Sequence, residues 1–305
     1  MAMNKRDRSI LKALSADGIE VKVSRRLANL KSISPAKVFY KTLDAKVYND
    51  EHEIPLRVFL PRNDDMENMK IILYFHGGGW ATESIDTYAR ALHLLAYETD
   101  CAVVAVEYRL APEYKYPVPL EDCYAAAKAL FTGELVSNID PDKITIAGDS
   151  AGGNMAAAVS LMARDRGDFL PKNQILIYPA TYLEYENPPF RSVYENGSDY
   201  ILTMGKMKDY VELYLNNEEE RKEKYVSPLR ETDFSKQPRT MIITAEFDPL
   251  RDEGEAYGKR LLNAGNEVEV YRLNDAIHGF FSLGVRSQHM RDCIDLIKKF
   301  LKEEA

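Results

Sequence analysis

The chain has 305 residues, 45 % of them hydrophobic and 29 % charged, with a formal net charge of −8. That length and balance suit a soluble globular protein with a substantial core. The acidic sign argues against nucleic acid or an anionic membrane as a standing partner, since both need a basic face, and no apolar run is long enough to cross a bilayer.

The first eight residues carry charges with no apolar core behind them, so no secretory signal is expected. Between 7 and 33, Ile10, Leu11, Leu14, Ile19, Val23, Leu27 and Leu30 are spaced for one or two short amphipathic helices. Alternating stretches at 37–48 and 54–60, joined by a turn over 49–53, read as an antiparallel hairpin with His52 exposed at its tip. The apolar run 70–75 is the next strand, and His76-Gly77-Gly78-Gly79-Trp80 follows it. Three consecutive glycines let backbone N–H groups face a pocket unobstructed, and each such donor to a tetrahedral intermediate is worth about 10²–10³ in rate.

A helix near 86–98, a strand near 102–107 and a helix near 119–132 come next. The strand 143–147 runs into Gly148-Asp149-Ser150-Ala151-Gly152-Gly153, and a helical pattern continues to 166. A serine in a G-x-S-x-G turn between strand and helix is placed to be a nucleophile, over free N–H groups and a positive dipole end. Asp149 is read as bracing that turn and His76 as fixing the glycine loop by hydrogen bonding.

After a strand near 173–178 the alternation breaks between about 181 and 238. This stretch holds a helix near 206–215 and the charge run 218–224, read as a solvated helix face or loop. It is also rich in aromatics: Tyr182, Tyr185, Phe190, Tyr194, Tyr200, Tyr210 and Tyr214. Most are expected to pack. Tyr182, Tyr185 and above all Trp80, the only tryptophan, are the candidates to line a substrate pocket.

Strands near 239–245 and 267–273 and helices near 251–264 and 287–303 complete a strand–helix alternation. Such alternation implies an α/β fold with a mostly parallel sheet covered on both faces. Of five histidines only His278 and His289 follow Ser150, and His278 lies just past a strand, whereas His289 reads as a solvated helix residue. The acid partner has four candidates: Asp248 follows a strand and precedes Pro249, with Glu246, Asp252 and Asp275 as rivals. Cys101, Cys123 and Cys293 are few, odd in number and widely spaced, which suits buried thiols in a reducing cytoplasm. No metal-ligand spacing appears, and no metal or cofactor is expected.

Together with Tyr108-Arg109-Leu110-Ala111-Pro112-Glu113, Tyr116-Pro117, Asp248-Pro249-Leu250-Arg251-Asp252-Glu253-Gly254 and His278-Gly279-Phe280, these motifs resemble the hormone-sensitive-lipase-like carboxylesterases, the HGGG-type group of α/β-hydrolases. The resemblance spans about residues 40–300. It implies a single α/β-hydrolase domain with an eight-stranded sheet, a core of 41–182 and 236–305, and a helical cap of 1–40 and 183–235. It also implies a triad of Ser150, Asp248 and His278, and an oxyanion hole from the N–H groups of Gly77, Gly78 and Ala151. The activity implied is hydrolysis of short-chain carboxylic esters, small-molecule substrates, through an acyl-enzyme. Deacetylation of acetylated sugars or cleavage of xenobiotic esters would use the same machinery. A ligand receptor on this scaffold is disfavoured because all three triad residues are present. Relatives of this group are often dimers, which leaves a homodimer open. One departure stands out: the group often has a glycine shortly before the histidine, where this chain has Asp275, and that bears on the loop conformation.

Overall fold

The structure, a computed structural model, describes residues 20–32, 41–62, 69–137, 139–284 and 286–303. The helical pattern expected before residue 20 and the first residues of the expected hairpin lie outside them. Helix α1 (Val21–Ser32) comes first. Its expected apolar positions Val23 and Leu27 are exposed, and Ala28 is the buried one. Strands β1 (Thr42–Asn49) and β2 (His52–Phe59) then pair antiparallel in a register that sets Asn49 opposite His52. The turn is therefore Asp50-Glu51, not 49–53, and His52 is a half-buried first residue of β2 with its ring 6.3 Å from Tyr114.

Four central strands follow from short apolar runs: β3 (Ile71–Phe75), β4 (Ala102–Val106), β5 (Ile144–Asp149) and β6 (Asn173–Ile177) are buried at every position. That pattern requires cover on both faces, which parallel strands obtain from their crossover helices. β7 (Arg239–Phe247) and β8 (Val268–Ile277) extend the sheet to the order β1-β2-β4-β3-β5-β6-β7-β8, parallel from β4 onward. β8 alternates half-buried and exposed positions, as expected of an edge strand.

The crossovers place α2 (Ile85–Thr99) and α9 (Gln288–Lys302) on one face, with α3 (Val118–Phe131), α4 (Ala151–Arg166) and α7 (Arg251–Asn263) on the other. The helix ends are locally encoded. Ser84 and Thr87 close a capping box on α2, and Asp100 ends that helix in a left-handed conformation. α9 buries Met290, Cys293, Ile294, Ile297 and Leu301, a stripe at three- and four-residue spacing. Leu73, Phe75 and Ile146 point to the α3, α4 and α7 layer and Ile72, Tyr74 and Ile175 to the α2 and α9 layer, so successive residues of a strand fill opposite cores. Each such side chain contributes roughly 1.5–3 kcal/mol on burial.

Between β6 and β7 lie the short α5 (Arg191–Asn196), α6 (Met204–Tyr214) and a 3₁₀ turn at Glu218–Lys222; α8 (Phe280–Leu283) follows β8. The charge run is not wholly solvated. Arg221 is buried, 3.8 Å from Glu184, and Glu223 accepts a hydrogen bond from the Tyr116 hydroxyl. All three cysteines are buried and none forms a disulfide. Among the described residues no helix is long and apolar enough to cross a membrane.

The sheet direction decides where chemistry can sit. The chain leaves β3 for β4 on one side and returns as β5 on the other, so a crevice opens at the C-terminal ends of β3 and β5. Open α/β sheets bind ligands at such switch points. The glycine loop after β3, Ser150 after β5, Asp248 after β7 and His278 after β8 all emerge at that edge.

Candidate active site

Ser150 sits between β5 and α4 at φ 54°, ψ −119°, a conformation that side-chain-bearing residues seldom adopt. The turn can close because its flanks are bare. A Cβ at Gly148 would lie 2.2 Å from the Gly152 carbonyl oxygen, and one at Gly152 would lie 2.0 Å from that of Phe75. The Ser150 N–H donates to the Ile177 carbonyl at 2.9 Å, tying the turn to β6.

Three residues far apart in sequence meet at this turn. Ser150 Oγ lies 2.9 Å from His278 Nε2, and His278 Nδ1 lies 2.8 Å from Asp248 Oδ2. Asp248 is fully buried, and its Oδ1 accepts from the Leu250 N–H at 2.8 Å, which orients the carboxylate. A carboxylate at Nδ1 keeps the proton on that nitrogen and leaves Nε2 as the acceptor facing the serine. The other acids are engaged elsewhere: Glu246 accepts the Asp275 N–H, and Asp252 accepts the Ser192 N–H. His289 is half-buried in α9 and hydrogen-bonds the Asn274 carbonyl. Asp275 itself has φ 58°, so it takes the left-handed backbone that favours glycine, beside an irregularity in the β7–β8 pairing.

The glycine loop corrects one expectation. The Gly77 N–H points inward, donating to Asp149 Oδ1 at 3.0 Å and contacting the Tyr88 hydroxyl at 3.2 Å. It is not available to a ligand. The N–H groups of Gly78, Gly79 and Ala151 donate no hydrogen bond to any described residue. Gly78 and Gly79 have φ 107° and 59°, and a Cβ on Gly79 would lie 2.2 Å from the Tyr210 ring. His76 holds the loop from behind: its Nδ1 is 2.8 Å from the Gly77 carbonyl, and its ring stacks on Tyr108 at 4.4 Å.

A family model described as the alpha/beta hydrolase fold matches residues 72–282. The chain belongs to that family. Similar proteins include an arylesterase of Saccharolobus solfataricus, 36 % identical over 79 % of this chain and 77 % of that one. Carboxylesterase NlhH of Mycobacterium tuberculosis is 33 % identical over 89 % of this chain and 85 % of its own length. Among solved structures, a hyperthermophilic esterase from the archaeon Pyrobaculum calidifontis superposes with a TM-score of 0.87 at 34 % identity, covering 99 % of this chain and 98 % of that one. The likeness to carboxylesterases read from the motifs is thus borne out.

In this α/β-hydrolase two cavities flank Ser150. A small apolar one of about 30 Å³ is lined by Gly79, Trp80, Ser150, Ala151, Ala180, Tyr185, Leu202, Met207, Tyr210 and Leu250. A larger one of about 230 Å³ includes His278, Gly78, Glu83, Lys206, Ser282 and, from α1, Ser24. Trp80 and Tyr185 therefore face the first cavity, and Trp80 is held there by stacking on Tyr214 at 4.7 Å. Tyr182 does not line it: its ring packs against Phe190 and carries the Arg230 guanidinium at 4.7 Å. Tyr210, one of the aromatics of the 181–238 stretch, lines it too, together with Leu202 and Met207, which no motif marks. Met207, Tyr210, Val211 and Tyr214 form one helical stripe on α6, and spacing cannot separate its cavity-facing members from those in the core.

Burial pushes the Asp149 carboxyl above its ordinary range, although three tyrosine hydroxyls favour its ionised form. Burial also raises Glu253 well above the usual glutamate value; its Oε1 accepts the Thr181 and Tyr182 N–H groups, while Oε2 has no partner. Among the described residues no group of three or more His, Cys, Asp or Glu could hold a metal ion.

Proposed function

We propose that this chain hydrolyses short-chain carboxylic esters through an acyl-enzyme on Ser150. His278 Nε2, 2.9 Å away, takes the serine proton as Oγ attacks the carbonyl carbon, then gives it to the departing alcohol. Asp248 keeps the imidazole in the required tautomer and stabilises its cation without taking the proton. The oxyanion is held by the N–H groups of Gly78, Gly79 and Ala151, with Gly79 in the place first given to Gly77. Water then repeats the route and releases the acid. The observation that carries this reading is the Ser150–His278–Asp248 relay beside a cluster of unengaged N–H groups.

The proton route orients the substrate. The leaving oxygen must stand within reach of His278, so the alcohol portion occupies the larger cavity and the acyl chain the small apolar one. A space of that size favours short acyl groups. Helix α1 and residues 183–235 act as a cap over both, supplying Ser24, Tyr185, Leu202, Met207 and Tyr210 to their walls. Three buried cysteines, none of them in a disulfide, favour a reducing, cytoplasmic setting.

The test is a series of p-nitrophenyl esters from acetate to palmitate, run with the parent and with Ser150→Ala. The parent should favour the short end, and the variant should lose about 10⁶ in kcat, the scale seen when a triad nucleophile is removed. Turnover near the parent's would refute the assignment.

A further inference from the structure

Outside the proposed relay, the Asp149 carboxylate lies directly beside the nucleophile and is filled by four donors. Its Oδ1 accepts from the Tyr74 hydroxyl at 2.9 Å and the Gly77 N–H at 3.0 Å, and its Oδ2 accepts from the Tyr88 hydroxyl at 2.8 Å and the Tyr178 hydroxyl at 3.1 Å. The carboxylate and all three tyrosines are buried. The donors come from β3, the glycine loop, α2 and the residue after β6, so four separate pieces of chain meet on one side chain.

Two of those donors lead onward to functional loops. Gly77 directly precedes Gly78: its N–H anchors the His76–Gly77 peptide, and its carbonyl, 2.8 Å from His76 Nδ1, belongs to the next peptide, the one that presents the Gly78 N–H. The approach is close: a Cβ on Gly77 would lie 2.7 Å from Asp149 Oδ2. Tyr178 in turn accepts the Phe281 N–H at 3.2 Å, and its ring lies 4.7 Å from that of His278. Tyr74 stacks on Phe281 at 5.6 Å from the same side. The residue following Asp149 is the nucleophile itself.

We propose that Asp149 is a positioning residue that sets the glycine loop, the Ser150 turn and the His278 loop in register through one shared, four-donor carboxylate. This rests on the hydrolase reading above. A buried carboxylate is tolerated only when its lone pairs are filled, so the arrangement admits few alternatives. A neutral amide in its place keeps one acceptor oxygen but turns an NH2 group toward two of the four donors. Two of the four hydrogen bonds would then be lost or reversed, the loops they tie could shift, and the oxyanion donors would be misaimed while substrate binding was left intact.

The experiment measures kcat and KM for p-nitrophenyl butyrate per site titrated with a fluorophosphonate, for the parent, Asp149→Asn, Tyr88→Phe and Tyr178→Phe. Normalising to labelled sites removes any effect of lost folding. Asp149→Asn should lower kcat about 10- to 10³-fold, the range for a disturbed oxyanion donor, with KM within about threefold. Each tyrosine variant should lower kcat by a smaller factor, again with KM nearly unchanged. A labelled parent with Asp149→Asn at kcat within twofold would overturn the proposal and leave the hydrolase reading standing. If Asp149→Asn does not fold, the tyrosine pair decides: kcat falling alone supports the role, and both variants within twofold of the parent overturn it. A parent that takes no label overturns the hydrolase reading and this one with it.

Discussion

The C-terminal edge of the sheet and the stretch from 183 to 235 both face Ser150, yet they are held in place by different means. Along the edge, position follows from main-chain ladders. β3, β5, β6, β7 and β8 run parallel, broken in register only between Ala245 and Phe247 in the β7–β8 pairing, so the residue after each strand is placed by the pairing of its apolar run. The other region has no ladder: it packs Val193, Val211, Tyr214 and Val226 among others into the core and is pinned by separate side-chain contacts to distant carbonyls. Asn154 donates to Ala180 and Val226, Ser192 to Pro249, and Asn216 to Tyr116. Helix α1 is attached in the same fashion, through Arg25 to the carbonyls of Ala81 and Ala111 and to Glu113. A ladder shifts only as a whole, whereas an isolated contact can be exchanged without moving the rest. Chemistry placed on the first and specificity on the second can therefore vary independently.

The largest effect should come from the ladder side. Asp248→Asn leaves the shape unchanged but turns a donor toward His278 Nδ1, which favours the wrong tautomer. We expect kcat to fall about 10⁴-fold, as for the equivalent change in a serine protease, with acyl-length preference unaltered. A change in preference would show that the two regions are not separable. On the other side, Met207→Ala should widen the small cavity while leaving the relay alone. The octanoate-to-acetate ratio of kcat/KM should rise about tenfold, the scale of one or two methylenes in an apolar pocket. Because the readout is a ratio, loss of folded protein cancels. An unchanged ratio would mean that the acyl chain lies elsewhere.

The same contrast explains what could be read from the sequence. Strands β3 to β7 fell within about two residues of their expected bounds because short apolar runs between turn residues admit few alternatives. Ser150 was placed by its strand–turn–helix context, and Asp248 and His278 by chain order at strand ends, aided by a family likeness. The glycine motif marked a backbone donor site but not which N–H groups face outward. That depends on Asp149 capturing Gly77, a contact across 72 positions. Tyr182 and Tyr185 were indistinguishable by composition, since direction is set by Arg230 and Phe190 in one case and by the cavity in the other. The exposure of Val23 and Leu27 likewise contradicts their helical spacing, because α1 is oriented by Arg25 and not by an apolar stripe.

The smallest effect is expected where the two regions join. Glu253, on α7 behind Asp248, accepts the N–H groups of Thr181 and Tyr182 at 2.7 and 3.1 Å just where the chain leaves β6 for the 183–235 stretch. Burial raises its carboxyl well above the ordinary 4.5, so the folded chain retains a proton that the unfolded chain has lost. The stability this residue contributes is therefore complete below 4.5 and falls away as pH rises through the folded value. Glu253→Gln keeps a carbonyl oxygen for both N–H groups, places its amide where Oε2 has no partner, and does not titrate. Its Tm relative to the parent should rise as pH increases above 4.5, while kcat stays within about twofold, since Glu253 makes no hydrogen bond to the relay. A Tm difference independent of pH would show that Glu253 is ionised in the fold. A large fall in kcat with Tm unchanged would show that the joint transmits to the catalytic edge, and the independence of the two regions would then fail at the place where they are linked.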